Sequence, residues 1–321
     1  MSLVTALYEN IEGIFARIGA MLKQDALTYC DLESADSRQT LVGKDGSLVS
    51  ILKLDGYKRF VGPNEFAYLC ERITEAFQPS MSAAGHLIQF YFSYEKESVK
   101  ETLEEALTPA RRTAARLKLK IEDIFESRID KLSSFCANED CFIVLWTLPY
   151  AIDKAQLKRL QKDRLEKFKD ANLPRLSGAQ NIFNTLSELR NIHESFVSSV
   201  HEDLAHAGFY LQILDAHRSC YEARRSVDPE FTDTSWRPFL PGDKLPIRFK
   251  GKISKKDLSQ LVWPPLDSQI IPREGEAIGF KFARIGDRIY APLYIELFPK
   301  EVKAFYDLFR RLLPSHMPWI S

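Results

Sequence analysis

Six histidines are the side chains of this sequence best suited to bind a metal or to transfer a proton near neutral pH. Four of them, at positions 193, 201, 206 and 217, fall close together along the chain. The segment His201-Glu-Asp-Leu-Ala-His206 is one residue longer than the zinc-protease motif His-Glu-x-x-His. At about 100° per residue, a spacing of five on a helix turns the second imidazole away from the first, so the two cannot share a metal. We therefore predict surface or capping histidines and no metal-ligating residue.

The usual motifs for phosphate binding and nucleophilic catalysis are missing as well. No Gly-x-x-x-x-Gly-Lys-Ser/Thr string occurs, because Gly43-Lys44 and Gly251-Lys252 are followed by Asp45 and Ile253. No Gly-x-Gly-x-x-Gly or Gly-x-Ser-x-Gly sequence is present either. The sequence predicts that this chain is not an enzyme and has no catalytic or cofactor-binding residue. The alternative left open is an autonomous enzyme whose site a single sequence does not reveal.

The composition is that of an ordinary folded protein. Among 321 residues, 44 Lys and Arg balance 44 Asp and Glu, and 45% are hydrophobic. A net charge of zero argues against a dedicated nucleic-acid or anionic-membrane binder. Five scattered cysteines are typical of reduced thiols in a cytosolic protein. The chain opens without a secretory signal, and its densest apolar run, Cys141–Trp146, is too short to cross a membrane. These features predict a cytosolic protein.

Residues 1–24 have the pattern of an amphipathic helix. Their apolar side chains recur at spacings of three and four, which places them on one helical face. This stripe comprises Leu3, Leu7, Ile11, Phe15, Ile18 and Leu22. It is our candidate surface for docking a partner subunit or a membrane surface, although the few Lys and Arg on its polar face argue against the membrane. Packing of the same stripe on the chain's own domain is the alternative.

The order of apolar and turn residues predicts an α+β protein. Asp45-Gly46 indicates a hairpin between strands near 38–43 and 47–55, and Asp55-Gly56 repeats the turn signal. A helix should run from Pro63 to Pro79, and a long helix over 96–133 should be kinked or divided at Pro109. Further strands are predicted at 86–94, 141–148, 209–214, 278–283 and 288–297, and further helices at 153–171, 180–206, 216–226 and 299–313.

These elements predict mixed helices and antiparallel or mixed sheets in two lobes. The lobes should comprise 25–174 and 175–321, because Pro174 and Ser177-Gly178 form the best candidate boundary. The Pro-rich stretch 229–272 shows no clear periodicity and is predicted to be irregular.

Two clusters of basic residues are candidate contact surfaces. The first comprises Arg111, Arg112 and Arg116, late in the long helix, where the helix dipole also favours cations. The second comprises Arg248, Lys250 and Lys252 within the basic segment 244–256, where a lysine-protected edge strand is the simpler interpretation. A nucleic-acid-binding module that uses 244–256 is a further alternative.

Several segments, taken in order, resemble one known family. Lys44–Leu48 and Lys53–Gly56 are similar to the opening hairpin of the VirB-type ATPases of type IV secretion systems. The aromatic strand 86–94 and the strand ending Trp146-Thr-Leu-Pro149 follow in that family's order. The second half resembles the Dot/Icm type IVB branch more closely. Its similar segments are Trp236–Asp243, Trp263–Leu266, Glu296–Pro299 and Leu313–Ile320.

The resemblance implies a non-catalytic N-terminal domain whose P-loop motor follows beyond Ser321. ATP and magnesium would belong to that motor domain, since the Walker motifs are absent here, so no cofactor is expected in this fragment. The domain would position the motor at the cytoplasmic face of the bacterial inner membrane for export of effector proteins. Its implied partners are other copies of itself, inner-membrane components of the secretion channel and the companion hexameric ATPase DotB. No nucleic acid is implied, and membrane contact would be indirect, through those partners.

Overall fold

The structure is a computed structural model. It describes residues 30–59, 61–82, 84–96, 99–160, 162, 186–228, 231, 233–241, 243, 265–271, 276–278, 282–285, 288–291 and 319–320. The predicted N-terminal helix over 1–24, the boundary at Pro174, the helix over 299–313 and the residues Arg248, Lys250 and Lys252 lie outside these ranges.

The fold is α+β, which confirms the predicted class. The strands are β1 (Leu32–Ala35), β2 (Leu41–Gly43), β3 (Leu48–Tyr57), β4 (His86–Glu95), β5 (Asn138–Thr147), β6 (Phe209–Ile213), β7 (Glu276–Ile278), β8 (Phe282–Ile285), β9 (Arg288–Tyr290) and β10 (Trp319–Ile320). The helices are α1 (Pro63–Met81), α2 (Val99–Arg116), α3 (Glu122–Phe135), α4 (Ser187–Ala207), α5 (Ala216–Val227) and α6 (Leu266–Ile270), with a 3₁₀ turn at Pro149–Ala151.

Strand pairing gives one larger and one smaller sheet among the described residues. The larger has the order β1-β2-β3-β5-β4-β10, with β6 also paired to β3, and the smaller has the order β7-β8-β9. The β1–β2, β2–β3 and β4–β10 pairs are antiparallel. The strand predicted over 278–283 is in fact the end of β7 and the start of β8, which pair antiparallel with Ile278 opposite Phe282.

The chain forms two compact units. The first draws its described residues from Met1–Leu52, Gly56–Ile88 and Val144–Tyr294, and the second from Lys53–Asp55, Gln89–Ile143 and Ile295–Ser321. Each unit is therefore assembled from segments that are distant along the sequence.

The β2–β3 hairpin of the first unit forms where Asp45-Gly46 predicted it. Gly46 has a φ of 86°, the left-handed conformation that glycine adopts without a Cβ clash. The Asp45 carboxylate accepts hydrogen bonds from the backbone N–H and hydroxyl of Ser47, at 2.9 and 2.6 Å. The second signal, Asp55-Gly56, is not a turn but lies inside β3, where Gly56 has a φ of 144°.

Helix α1 begins at Pro63, as predicted, but continues through Pro79 to Met81. Proline is tolerated here because it lies in the last turn, where only one backbone hydrogen bond is lost. Leu69 and Phe77 are buried as the apolar spacing indicates, whereas Phe66 is 50% exposed.

The long helix predicted over 96–133 is divided, but the division is not at Pro109. Helix α2 runs through Pro109 and ends at Arg116, and α3 begins at Glu122. At the break the N–H groups of Lys118 and Leu119 donate to the carbonyls of Ala115 and Ala114, with Lys118 at a φ of 56°. This is the Schellman arrangement that ends many helices, so local capping stops α2.

The core of the first unit is built on the strands β1 to β3. One cluster of buried side chains contains Leu41, Val49, Cys220, Leu266 and Ile270, with Trp146 and Trp236 packed against it. A second contains Val42, Leu48, Ile152 and Leu189, so α4 packs through Leu189 against the other face of the hairpin. Consecutive residues of β2, Leu41 and Val42, thus enter different clusters, as the alternation of side chains along a strand requires.

Candidate functional site

His193 is the most deeply buried titratable imidazole in the part of the chain that the structure describes, at 1% exposure. Its Nε2 lies 2.9 Å from the Ser50 hydroxyl of β3, and its Nδ1 lies 2.9 Å from the Thr147 hydroxyl of β5. Thr147 is in turn 3.3 Å from Nδ1 of His86 on β4. The prediction of surface or capping histidines is therefore wrong for His193, which α4 carries into the interior of the first unit.

The direction of each hydrogen bond follows from the Ser50 hydroxyl. This hydroxyl has one proton, which it donates to the Gln39 carbonyl at 2.8 Å. Its oxygen must then accept from Nε2–H of His193, so Nδ1 of a neutral His193 accepts from Thr147. The hydroxyl oxygen of Thr147 then accepts a hydrogen bond from Nδ1–H of His86. A single ordered chain of hydrogen bonds therefore runs from His86 to the Gln39 carbonyl.

The pKa of His193 is lowered to about 4, mainly by burial and to a smaller extent by the neighbouring His86, while Asp36 opposes the shift. The pKa of His86 is also lowered, because its ring is partly buried, although a backbone hydrogen bond with Trp146 opposes this. Both rings are thus held neutral near neutral pH, which is the state that the hydrogen-bond chain requires.

A serine within hydrogen-bonding distance of a histidine is also the arrangement of a nucleophile and its base. Here Ser50 donates its only proton to a backbone carbonyl, and both Ser50 and His193 are almost fully buried. A serine nucleophile must instead donate to the base and face the substrate. The geometry therefore describes a polar connection that holds α4 on the sheet and fixes its register.

The other clustered histidines have different surroundings. His201 and His206 follow on α4, where His206 is exposed in the last turn. His217 on α5 lies 2.9 Å from the Asp243 carboxylate, which also accepts from the backbone N–H of Leu240. The structure therefore brings neither His201 nor His206 to His193. The apolar residues Phe196, Val197 and Val200, three to seven positions after His193, were the sequence signal that it faces the core.

Several of the segments that carry the family resemblance meet at the β2–β3 turn. The Lys44 ammonium forms a 2.7 Å ion pair with Asp267 of α6, directly after the Trp263–Leu266 segment. Pro149 lies beside the turn, since its ring would be 4.0 Å from a Cβ placed on Gly46. Trp146, Trp236, Leu240 and Leu266 all belong to the same hydrophobic cluster. Segments from four parts of the sequence are therefore joined in one packed region of the first unit.

Side chains of α5 and α6 contact the aromatic rings and the backbone of Phe231, Trp236 and Phe239. The Arg224 guanidinium lies 4.0 Å from the centre of the Phe231 ring and 4.6 Å from that of Trp236. Gln269 accepts from the Phe239 N–H at 2.7 Å and donates to the Phe239 carbonyl at 3.2 Å. Two described parts of the Pro-rich stretch are thus in contact, and one of them, α6, is a short helix within the stretch that was predicted to be irregular.

The first basic cluster lies in the second unit, at the end of α2. Arg111 pairs with Glu122 of α3 at 2.9 Å, and its guanidinium lies 6.0 Å from the Phe125 ring. Arg112 and Arg116 are exposed. Arg111 therefore links α2 to α3, whereas Arg112 and Arg116 face solvent.

The described residues contain a shallow groove of about 500 Å³ on the surface of α3, lined by Asp123, Ile124, Ser127, Arg128, Lys131 and Leu132. All of these residues come from one helix, so groups from different elements do not converge there. Within the described ranges, no three His, Cys, Asp or Glu side chains are placed to hold a metal ion. No described helix is both long and apolar enough to cross a membrane.

No protein-family model matches this chain, and no curated protein matches it.

Proposed function

We propose that this chain is a non-catalytic assembly domain of a type IVB secretion ATPase of the Dot/Icm kind, similar to DotO (IcmB). It would position a motor domain at the cytoplasmic face of the bacterial inner membrane, beneath the channel through which effector proteins are exported. Its partners would be further copies of itself, inner-membrane components of the channel and the companion ATPase DotB. ATP and magnesium would bind only to the motor.

One observation supports this proposal most directly. The segments that resemble the family are distant in sequence, yet Lys44 contacts Asp267, and Trp146, Trp236 and Leu266 share one hydrophobic cluster. Residues that stabilise a common fold must be compatible with one another in space. Their convergence supports the interpretation that the ordered resemblance reflects one domain and not several unrelated matches.

The chemistry of the described interior also favours a scaffold. The serine and histidine that are close enough to cooperate are buried and use their hydrogen bonds to hold α4 on the sheet. Such a domain would act through its surface, because a rigid core can present helix faces and strand edges to neighbouring subunits in a constant geometry.

The first test is to sequence the encoding gene past codon 321. We expect a Gly-x-x-x-x-Gly-Lys-Ser/Thr motif after a predicted strand, because the phosphate cradle of the motor needs that loop. A stop codon directly after residue 321 would overturn the proposal, since the protein would then lack the motor that this domain is proposed to position.

The second test concerns docking through the N-terminal stripe. The chain carrying Leu7→Asp and Phe15→Asp should lose co-sedimentation with inner membranes that contain the secretion channel, while its circular dichroism is unchanged. Thr5→Asp with Ala16→Asp is the matched control, because both positions lie on the opposite face of the predicted helix. Unfolding of the Leu7/Phe15 variant would instead assign the stripe to the core, and equal binding by both variants would exclude it as the docking surface.

A further inference from the structure

The turn between α2 and α3 exposes apolar and basic side chains in alternation. Residues 116–120 read Arg-Leu-Lys-Leu-Lys and connect the end of α2 to the start of α3. Leu117 and Leu119 are 60% and 52% exposed, and Ile124 in the first turn of α3 is 59% exposed. Leucine and isoleucine normally lose this surface to a core or a partner, since exposing it to water is unfavourable.

Four cations surround these apolar side chains. Arg112, Arg116, Lys118 and Lys120 are all exposed. Among the described residues none of the four has an ion pair, whereas the neighbouring Arg111 is paired with Glu122. The tip of the helical hairpin therefore combines an excess of positive charge with accessible hydrocarbon.

The helix dipoles explain only part of this charge. Arg116 lies in the last turn of α2, where a cation is favourable, and Glu122 and Asp123 lie in the first turn of α3, where an anion is favourable. Lys120 is different, because it directly precedes the N-terminus of α3, where a positive charge is unfavourable. The helix dipoles therefore do not account for the charge of Lys120.

Lys118 also occupies a position that favours glycine. It is the residue after the end of α2 in the Schellman arrangement, at a φ of 56°, and it is the non-glycine residue with positive φ in the described chain. A side chain in this conformation costs roughly 1 kcal/mol relative to glycine. The sequence therefore places a lysine at the tip where glycine would be more stable.

Capping explains part of the apolar character. Leu119 occupies the position of the Schellman arrangement that commonly contacts the helix, and the N–H of Leu119 bonds to the buried Ala114. Leu117 and Ile124 have no such role. Because Leu119 is itself still 52% exposed, the exposed hydrocarbon at all three positions remains to be explained.

We propose that this hairpin tip is a docking site for an anionic lipid bilayer. Leu117 and Leu119 would enter the boundary between headgroups and acyl chains, and the four cations would contact lipid phosphates. Burial of hydrocarbon combined with attraction to anionic lipids is the general basis of peripheral membrane binding. The inference concerns the hairpin alone and does not depend on the proposed secretion function, in which membrane contact is made through partners.

The apolar residues distinguish a bilayer from other acidic partners. A nucleic acid would be expected to meet aromatic side chains that stack on bases, and leucines between the lysines add nothing to phosphate binding. An acidic protein would pair with the cations, but it would still need an apolar pocket for two protruding leucines. A bilayer surface offers both the negative charge and an accessible apolar layer.

The experiment is co-sedimentation of the whole chain with vesicles of phosphatidylcholine alone or with 30% phosphatidylglycerol. We expect binding to the phosphatidylglycerol vesicles that weakens with salt, and little binding to neutral ones. Leu117→Asn with Leu119→Asn leaves the charge unchanged and should weaken binding at least tenfold. Lys118→Gln with Lys120→Gln should weaken binding about fivefold for each charge removed.

The matched control is Arg128→Gln with Lys131→Gln, which removes two exposed charges farther along α3 and should weaken binding much less. A direct readout is the fluorescence of Leu117→Trp, which should shift to the blue on anionic vesicles. Phe135→Trp, at a position that is 88% exposed, should not shift.

Three results would overturn the proposal: no binding to the anionic vesicles, equal losses in the tip and control variants, or binding that needs the lysines but not the leucines. The last result, combined with equal binding to RNA or to an acidic polypeptide, would assign the tip to a different macromolecule. Unchanged circular dichroism of each variant establishes that a loss does not come from unfolding.

Discussion

Arg190 of α4 donates two parallel hydrogen bonds to Asp36, each 2.7 Å long, from Nε and Nη2 to the two carboxylate oxygens. The Asp36 side chain is completely buried, while that of Arg190 is 40% exposed. This paired geometry fixes the guanidinium in one plane. Together with His193, three residues farther along the helix, it joins α4 to the β1–β3 region at two polar points.

Replacing Arg190 should therefore destabilise the first unit. Arg190→Met would leave the buried Asp36 carboxylate without its cation, so the free energy of unfolding should fall by about 1–3 kcal/mol. Arg190→Lys should recover only part of the loss, because an ammonium cannot reproduce the two parallel bonds. Urea unfolding measures both. Arg112→Met is the control and should change stability by less than about 0.5 kcal/mol, and an equal loss in both variants would contradict the role of the pair.

His193 should make the protein sensitive to mild acid. Its pKa is about 4 in the folded chain against 6.5 for the free side chain, so the unfolded state binds the proton more readily. Stability is then fully present above about pH 6.5 and is lost as pH falls toward 4, by roughly 3 kcal/mol in total. The lowered pKa of His86 acts in the same direction. Urea unfolding at pH 7, 6 and 5 measures this loss.

Two variants separate His193 from other titrating groups. His193→Gln should be less stable at pH 7, since the hydrogen bonds to Ser50 and Thr147 are disturbed, but its stability should change less between pH 7 and 5. His206→Gln, an exposed change on the same helix, should keep the pH dependence of the original chain. If His193→Gln kept that dependence too, another group would be responsible.

Gly85, just before β4, should not tolerate a side chain. Its φ is 95°, and a Cβ there would lie 2.6 Å from the backbone and side chain of Ala151. Gly56 has a φ of 144° but no atom within 4 Å of the Cβ position. Gly85→Ala should therefore lower the unfolding free energy by about 1–3 kcal/mol more than Gly56→Ala, because it adds a steric clash to the backbone cost. Thermal unfolding of the two variants tests the difference, and equal losses would show that Ala151 can move aside.

Lys118→Gly should stabilise the second unit by about 0.5–1 kcal/mol, since glycine adopts the left-handed conformation without strain. Lys120→Gly is the matched control, because its φ is not positive, and it should be neutral or slightly destabilising. A stabilised Lys118→Gly variant that binds anionic vesicles less tightly would show that stability is sacrificed at this position for charge. A destabilised variant would refute the strain at Lys118.

Local signals in the sequence predicted most elements of the fold. The Asp45-Gly46 turn, the proline that begins α1 and the aromatic strand β4 each depend on neighbours in the chain. The end of α2 was mislocated because Pro109 is the more obvious signal in the sequence. The αL conformation of Lys118 gives no such signal, since lysine rarely adopts it.

The polar connection through His193 could not be derived in the same way. It depends on Ser50 and Thr147, which lie on strands far away in the sequence and are brought together only by the sheet. The histidine spacing indicates possible metal ligation, but the pattern that predicts the burial of His193 is the set of apolar residues that follow it. The ion pair between Lys44 and Asp267 could not be predicted from local patterns either, because the two residues are distant in the sequence.

The pairing of β10 with β4 has a consequence for protein synthesis. Trp319 lies opposite Tyr94, and Ile320 lies opposite Ser93, so this edge of the second unit's sheet stays open until residue 320 has left the ribosome. The hairpin of α2 and α3 is translated well before then, because it lies earlier in the sequence, and it can form first since its contacts are local. The β4–β10 pair can therefore close only after residues 319 and 320 have been translated, and until then this edge of β4 is open to other chains.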